Sequence, residues 1–182
     1  SVTSADQSLT LQITPYGKMS FFDRQGNLLL KEYYRSWNYG TQDWNDLDQI
    51  TMCRMAARTY KSAGGDNYSL SLRFEADDKE KIYGMGQYQQ PYLNLKGCCL
   101  ELAQKNTQAS VPFMVSSKGY GLLWNNPAVG QAVFGMNLTE FSSQSAKEID
   151  YWITAGDTPA EIVERYSCVT GKVPMMPEFA LG

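Results

Sequence analysis

The chain has no histidine, and that absence alone removes several kinds of chemistry. A Ser-His-Asp or Cys-His nucleophile system cannot be assembled. Histidine-ligated zinc and imidazole acid–base relays are excluded with it. Long apolar runs are missing too, since no stretch approaches the ~20 residues that a membrane span requires. Neither sign of charge dominates: 16 Lys and Arg stand against 19 Asp and Glu, for a net charge of −3. The two signs are interspersed, so no basic patch exists to neutralise phosphates. Neither nucleic acid nor membrane is expected as a partner.

Cysteine is sparse and poorly placed for metal or redox work. Cys53, Cys98, Cys99 and Cys168 form neither a C-x-x-C pair nor a zinc cluster, and no metal or cofactor is expected. Adjacent Cys98 and Cys99 point to opposite faces of a strand, so a disulfide between them would be strained. Reduced, structural thiols are the expectation, which favours the cytoplasm over a bacterial secreted or periplasmic location. The chain starts at Ser1 rather than Met and carries no signal peptide, so targeting does not decide the compartment.

What the chain does have is aromatic residues and a two-residue period. It holds 12 Tyr, 7 Phe and 4 Trp, types that suit strands and also stack on sugar rings. Leu9, Leu11 and Ile13 alternate with Ser8, Thr10, Gln12 and Thr14; Tyr68, Leu70, Leu72 and Phe74 alternate with Ser69, Ser71, Arg73 and Glu75. Val111, Phe113 and Val115, then Leu122 and Trp124, then Ile149, Tyr151 and Ile153 continue the pattern. Turn signals part these runs at residues 22–28, where Gly26 suits a positive φ, at 64–67 and at 117–119. Many short strands between regular turns predict a mainly β chain folded as an antiparallel β-sandwich.

One segment breaks the period. Thr158-Pro159-Ala160-Glu161 is a capping box with proline at the first helical position. Ile162, Val163, Tyr166 and Val169 form an apolar stripe and Gly171 a stop, so one short helix is predicted over 159–170. Pro174 and Pro177 then rule out regular structure, and the chain ends on apolar Phe179-Ala180-Leu181-Gly182. That end reads as severed. Residues 1–157 are expected to form the sandwich, and 158–182 a helix and extended linker towards a further domain.

Candidate ligand-facing residues are few. Residues 35–48 carry Trp37, Tyr39 and Trp44 among Asp and Asn side chains; they are expected to form a long loop held by its own aromatics, with a sugar contact as the competing reading. Asp77-Asp78, flanked by Lys79, Glu80 and Lys81, reads as a solvated turn rather than a catalytic pair. Asp46 and Asp48, in the aromatic loop, have only a slightly better claim. Asn67-Tyr68-Ser69 and Asn137-Leu138-Thr139 are glycosylation sequons by pattern alone. Gly84 and Gly86 lack the lysine and helix of a phosphate loop and mark a bulge or a close backbone approach.

Five blocks in register carry a resemblance. Ile82-Tyr83-Gly84-Met85-Gly86-Gln87 is followed by Gln104-Lys105-Asn106-Thr107, by Val111-Pro112-Phe113-Met114-Val115-Ser116-Ser117, and by Gly119-Tyr120-Gly121-Leu122-Leu123-Trp124. The last runs from Asp150-Tyr151-Trp152-Ile153-Thr154-Ala155-Gly156-Asp157-Thr158-Pro159 to the terminal Pro177-Glu178-Phe179-Ala180-Leu181-Gly182. Together they resemble the N-terminal part of family 31 glycoside hydrolases, the α-glucosidase and α-xylosidase group, over about residues 82–182, with a looser match before that.

The resemblance implies a sandwich of the galactose-mutarotase-like type beside a (β/α)8 barrel. In such enzymes the barrel supplies two aspartates for retaining hydrolysis of α-glucosides or α-xylosides, so no catalytic residue is expected before Gly182. It also implies that a sandwich loop reaches the mouth of the barrel. The matching substrate-binding positions here are Asn106 and Thr107, with Asn106 standing where an aspartate is common. Gln87 replaces a commoner glutamate near the domain junction, and residues 88–92 form a loop that either lines the same mouth or packs around Pro91. The competing function is a free-standing carbohydrate-binding module. An aldose epimerase, which has a similar fold, is set aside because it needs a histidine acid.

Overall fold

A computed structural model describes residues 1–15, 17–33, 35–37 and 53–181, with the backbone alone at 35–37, 53–55 and 181. Fifteen strands occur among them: β1 (Val2–Thr3), β2 (Leu9–Ile13), β3 (Met19–Asp23), β4 (Leu28–Lys31), β5 (Arg35–Trp37), β6 (Cys53–Met55), β7 (Arg58–Gly64) and β8 (Asn67–Glu75); then β9 (Ile82–Gln87), β10 (Cys99–Leu102), β11 (Ala109–Ser116), β12 (Tyr120–Trp124), β13 (Gly130–Phe134), β14 (Leu138–Ala146) and β15 (Tyr151–Ala155). One helix, α1 (Pro159–Thr170), and a 3₁₀ turn at Glu178–Leu181 follow.

The strands form a large sheet in the order β10-β13-β14-β8-β7, a facing sheet in the order β15-β12-β11-β9, an N-terminal sheet β1-β2-β3-β4, and the pair β5-β6. Their pairings are antiparallel. The alternation at 68–75 explains the large sheet: Leu70, Leu72 and Phe74 are buried, and cross-strand Leu72 meets Phe141 of β14. Met114, Leu122 and Trp124 come from the facing sheet into the same core. The Trp124 and Phe141 rings stack with centroids 5.7 Å apart, and the indole donates to Ser143 Oγ at 3.2 Å. Two sheets closing on one apolar layer make the expected sandwich.

The N-terminal sheet closes one side through a buried ion pair. Glu32 is 1% exposed and accepts two hydrogen bonds from the Arg58 guanidinium, at 2.7 and 2.8 Å, and another from the Met19 backbone at 3.0 Å. Such a paired, fully bonded carboxylate satisfies the condition under which charge tolerates burial.

Period-2 reading located β11 but not its orientation. Phe113 and Val115 point outward beneath α1, while Met114 enters the main core. Both faces of the facing sheet are thus covered. The helix spans the predicted residues. Thr158 Oγ1 accepts from Glu161 N at 3.3 Å, and Glu161 returns a bond to Asp157 N at 2.9 Å, one residue before the reciprocal partner of an ideal capping box. Ile162 is buried and Tyr166 stacks on Phe113 at 4.0 Å, where Gly121 leaves room for the Ile162 side chain. Val163, a rotation of about 100° from Ile162, faces away instead, so the expected stripe is divided.

Residues 35–37 pair with 53–55 as strands rather than joining a loop. Tyr39, Trp44, Asp46 and Asp48 lie outside the described residues. Past α1, residues 171–177 are irregular, and the turn at Glu178–Leu181 replaces the extended end expected there.

Candidate functional site

Asn106 and Thr107 lie together at the tip of a tight turn that joins β10 to β11, and both are exposed. Lys105 and Gln108 close it as an isolated bridge, with Gln108 N donating to Lys105 O at 3.2 Å. Thr107 has φ +72. A β-branched residue rarely takes that left-handed conformation, because its Cβ crowds the following carbonyl at a cost of about 1–2 kcal/mol. A turn with positive φ at its third residue ordinarily places Gly or Asn there. The conformation persists because the surrounding structure fixes it.

Amide side chains do the fixing. Gln104 closes the base of the turn with both ends of its carboxamide: Nε2 donates to Ser110 O at 2.7 Å, and Oε1 accepts from Ser110 N at 3.0 Å. Gln108 Nε2 donates across the turn to Ala103 O at 3.0 Å. Tyr88 joins from the neighbouring loop. Its hydroxyl donates to Glu101 O at 3.0 Å, so its 2.8 Å bond with Ser110 Oγ is donated by the serine. An ion pair between Lys105 and Glu101 spans the outside.

The strand paired with β11, β9, is distorted to match. Gly84, Met85 and Gly86 have φ of +95, +69 and +92 in succession. Across from them the register slips between Ser110 and Met114, which pair with Gly86 and Gly84, so three residues of β11 oppose Met85 alone. Pro112 sits in this bulge, where no ladder donor is needed. A Cβ on Gly86 would collide with the Ala109 carbonyl and come within 2.7 Å of Val111 N; one on Gly84 would come within 2.7 Å of Phe113 O. The close backbone approach expected of these glycines is therefore present, and it sets where β11 leaves the turn.

Residues 88–92 lie alongside. Tyr88 is half-buried as a brace, whereas Tyr92 and Leu93 are exposed. Gln87 is exposed at the end of β9 and pairs with Ala109. Asn106 and Thr107 are reached from the sequence only through the resemblance; the bracing by Tyr88 and Gln104 is not legible there, because only the fold brings them to Ser110. Asparagine in a four-residue turn was the available signal.

The remaining carboxylates have other employment. Glu80, 5% exposed, accepts from the hydroxyls of Ser116 and Tyr120, the latter at 2.7 Å. Burial, reinforced by the Glu80 charge, pushes the Tyr120 phenol well above its usual range. Asp77 is exposed in a turn, and the Lys79 backbone N–H, helped by nearby lysines, holds it below the usual carboxylate range. Asp78 is exposed beside it, as a solvated turn requires. Glu140 pairs with Arg73. Among the described residues no three His, Cys, Asp or Glu side chains converge as metal ligands, and no helix is long and apolar enough to cross a membrane. Cys98, Cys99 and Cys168 carry free thiols.

Comparison with known proteins agrees with this geometry. Residues 2–131 match the family model of the glycosyl hydrolase 31 N-terminal galactose mutarotase-like domain. An uncharacterized family 31 glucosidase, ORF2 of Pseudescherichia vulneris, is 48% identical over 169 residues, which is 91% of this chain and 32% of that protein. The crystal structure of a GH31 α-xylosidase from a soil metagenome, complexed with xylose, superposes with a TM-score of 0.87 at 46% identity, covering 96% of this chain and 26% of that one. A xylosidase from Aspergillus niger superposes with a TM-score of 0.81 at 29% identity, covering 97% and 24%. The chain thus spans about a third or less of the length of the relatives it matches. With the family model matched over residues 2–131, the chain belongs to the family of glycosyl hydrolase 31 N-terminal galactose mutarotase-like domains.

Proposed function

We propose that this chain acts as the accessory N-terminal domain of a retaining α-glycosidase, with the hydrolytic aspartates on a (β/α)8 barrel outside these residues. In this reading residues 1–157 are the sandwich, and 158–182 are the helix and linker leading to the barrel. The sandwich supports the barrel and its 103–108 turn lines the substrate mouth. The substrate class is an α-linked xyloside or glucoside; the α-xylosidase and the xylosidase among the similar structures favour the xyloside.

The observation that carries the reading is the strained, exposed tip at Asn106 and Thr107. Strain on a β-branched residue at a solvent-facing turn gains nothing inside the domain, and such outliers concentrate at ligand-facing sites. Asn106 both donates to and accepts from hydroxyls, which suits a sugar. Exposed apolar side chains give separate support for a covering domain: Val163 and Val169 on α1, then Val173, Met175 (94% exposed), Met176 and Phe179 (88%). So many exposed apolar side chains within residues 163–179 suit an interface.

The test is an exchange. The soil-metagenome α-xylosidase is rebuilt with this chain in place of its own matching segment, and release of p-nitrophenol from the aryl α-xyloside is measured. Turnover within about tenfold of the parent is expected, equivalent to about 1.4 kcal/mol of lost transition-state binding. A soluble, folded but inert chimaera contradicts the reading. Saturable sugar binding by the isolated chain would favour a carbohydrate-binding module instead.

A further inference from the structure

The bracing of the 103–108 turn is out of proportion to what the domain itself gains from it. Restraining a glutamine side chain costs rotamer entropy, and a tyrosine brace adds to it. Yet the loop so held is exposed, and the tip it fixes carries strain rather than packing. Four hydrogen bonds converge on Ser110 and the adjoining backbone: two from Gln104, one between the Tyr88 and Ser110 hydroxyls, and one from Tyr88 to Glu101 O. The Gln104 bonds tie the turn to β11, and Tyr88 ties β11 to β10. Ser110 pairs with Gly86, and Glu101 pairs with Gln131 of the large sheet. The tip is thereby referenced to both sheets of the sandwich at once.

We infer that Tyr88 and Gln104 are positioning residues, which hold Asn106 and Thr107 at a fixed height over the substrate mouth and so set how tightly the enzyme takes its glycoside. The inference rests on the proposal that this turn lines the mouth. Neither residue touches substrate in this account; both act through Ser110 and the backbone of the turn. A polar group misplaced by about 1 Å loses much of its effect on a bound ligand, which is why such a clasp matters.

The experiment uses the active chimaera described above and the isolated chain in parallel. Tyr88→Phe removes the hydroxyl that joins Ser110 to Glu101, and Gln104→Ala removes the carboxamide. Each is expected to raise KM for the aryl α-xyloside by about 3–10-fold, the range that weakening one hydrogen bond from the tip to the sugar allows, with kcat changed less than about twofold. Ser110→Ala should follow Tyr88→Phe, and Ser110→Thr, which keeps the hydroxyl, should restore the parent KM. Melting of the isolated variants should stay within about 4 °C of the parent, since the one or two hydrogen bonds lost are mostly solvent-exposed and shift stability little. An active chimaera whose KM ignores all of these substitutions overturns the positioning role and leaves the mouth reading standing. So does a KM rise that appears only together with a large loss of melting temperature, which is the mark of a merely structural brace. An inert parent chimaera overturns the mouth reading and the positioning role together.

Discussion

The middle of the large sheet and the corner where β9 meets β11 are built on opposite principles. In β13 and β14 the buried positions alternate, β8 buries Leu70, Leu72 and Phe74 on one face with Ser71 between them, and the register runs unbroken from Leu138 to Ser143. At the corner, three successive residues of β9 have positive φ, β11 bulges around Pro112, and amide side chains replace the backbone ladder. Regular strands hold the fold with ordinary contacts. The corner spends conformational energy to place an exposed turn. Irregularity that the core does not need is where interaction with other molecules is to be sought.

Four substitutions test that contrast in the isolated chain. The largest effect is expected in the regular half. Phe141→Ala empties the space between Phe134 and Trp124 and should cost about 4 kcal/mol, read as a lower denaturant midpoint. Gly86→Ala comes next. It adds a Cβ against the Ala109 carbonyl at φ +92, and the loss should be about 3 kcal/mol, a fall of roughly 6–12 °C in melting temperature. A cost under about 1 kcal/mol would show the corner to be soft, and the contrast would fail.

The third is a pH effect seated in the sandwich. The phenol of Tyr120 ionises near its ordinary 10.0 in the unfolded chain and well above that in the fold, and burial raises Tyr151 as well. The unfolded state therefore releases these protons first. Stability is intact below pH 10 and falls as pH rises towards the folded values, by up to about 1.4 kcal/mol per pH unit for each tyrosine. Tyr120→Phe should remove about half of that alkaline slope between pH 10 and 11.5, measured by denaturant titration. The smallest effect has the opposite sign. Thr107→Gly relieves the left-handed strain and should stabilise by up to about 1 kcal/mol, net of the greater freedom of glycine in the unfolded chain. In the chimaera the same change should weaken substrate binding. A gain in stability beside a rise in KM is what separates a functional turn from a structural one.

The same contrast explains what could be read from the amino acids. Leu70, Leu72 and Phe74 declare a strand because one face is buried and the period is fixed at two. Thr158, Pro159 and Glu161 declare a helix start because capping is local chemistry. Phe113 and Val115 showed the same alternation as the core strands, yet they face α1, because periodicity separates two faces without naming the inner one. Gly84 and Gly86 announced a close approach, but what they approach, the Ala109 and Phe113 carbonyls, lies more than twenty residues away in sequence. Asn106 and Thr107 were found through resemblance to a family motif. The strain at Thr107 and the brace from Tyr88 had no local signature, since both arise from the pairing of distant strands.

The central claim, that the bond-breaking acids lie outside this polypeptide, is tested most directly by the initial rate of p-nitrophenol release from aryl α-xyloside and α-glucoside by the isolated 182-residue chain. The account predicts no release above the buffer rate at any substrate concentration. Saturable turnover that disappears when a carboxylate of this chain is replaced by its amide would contradict it.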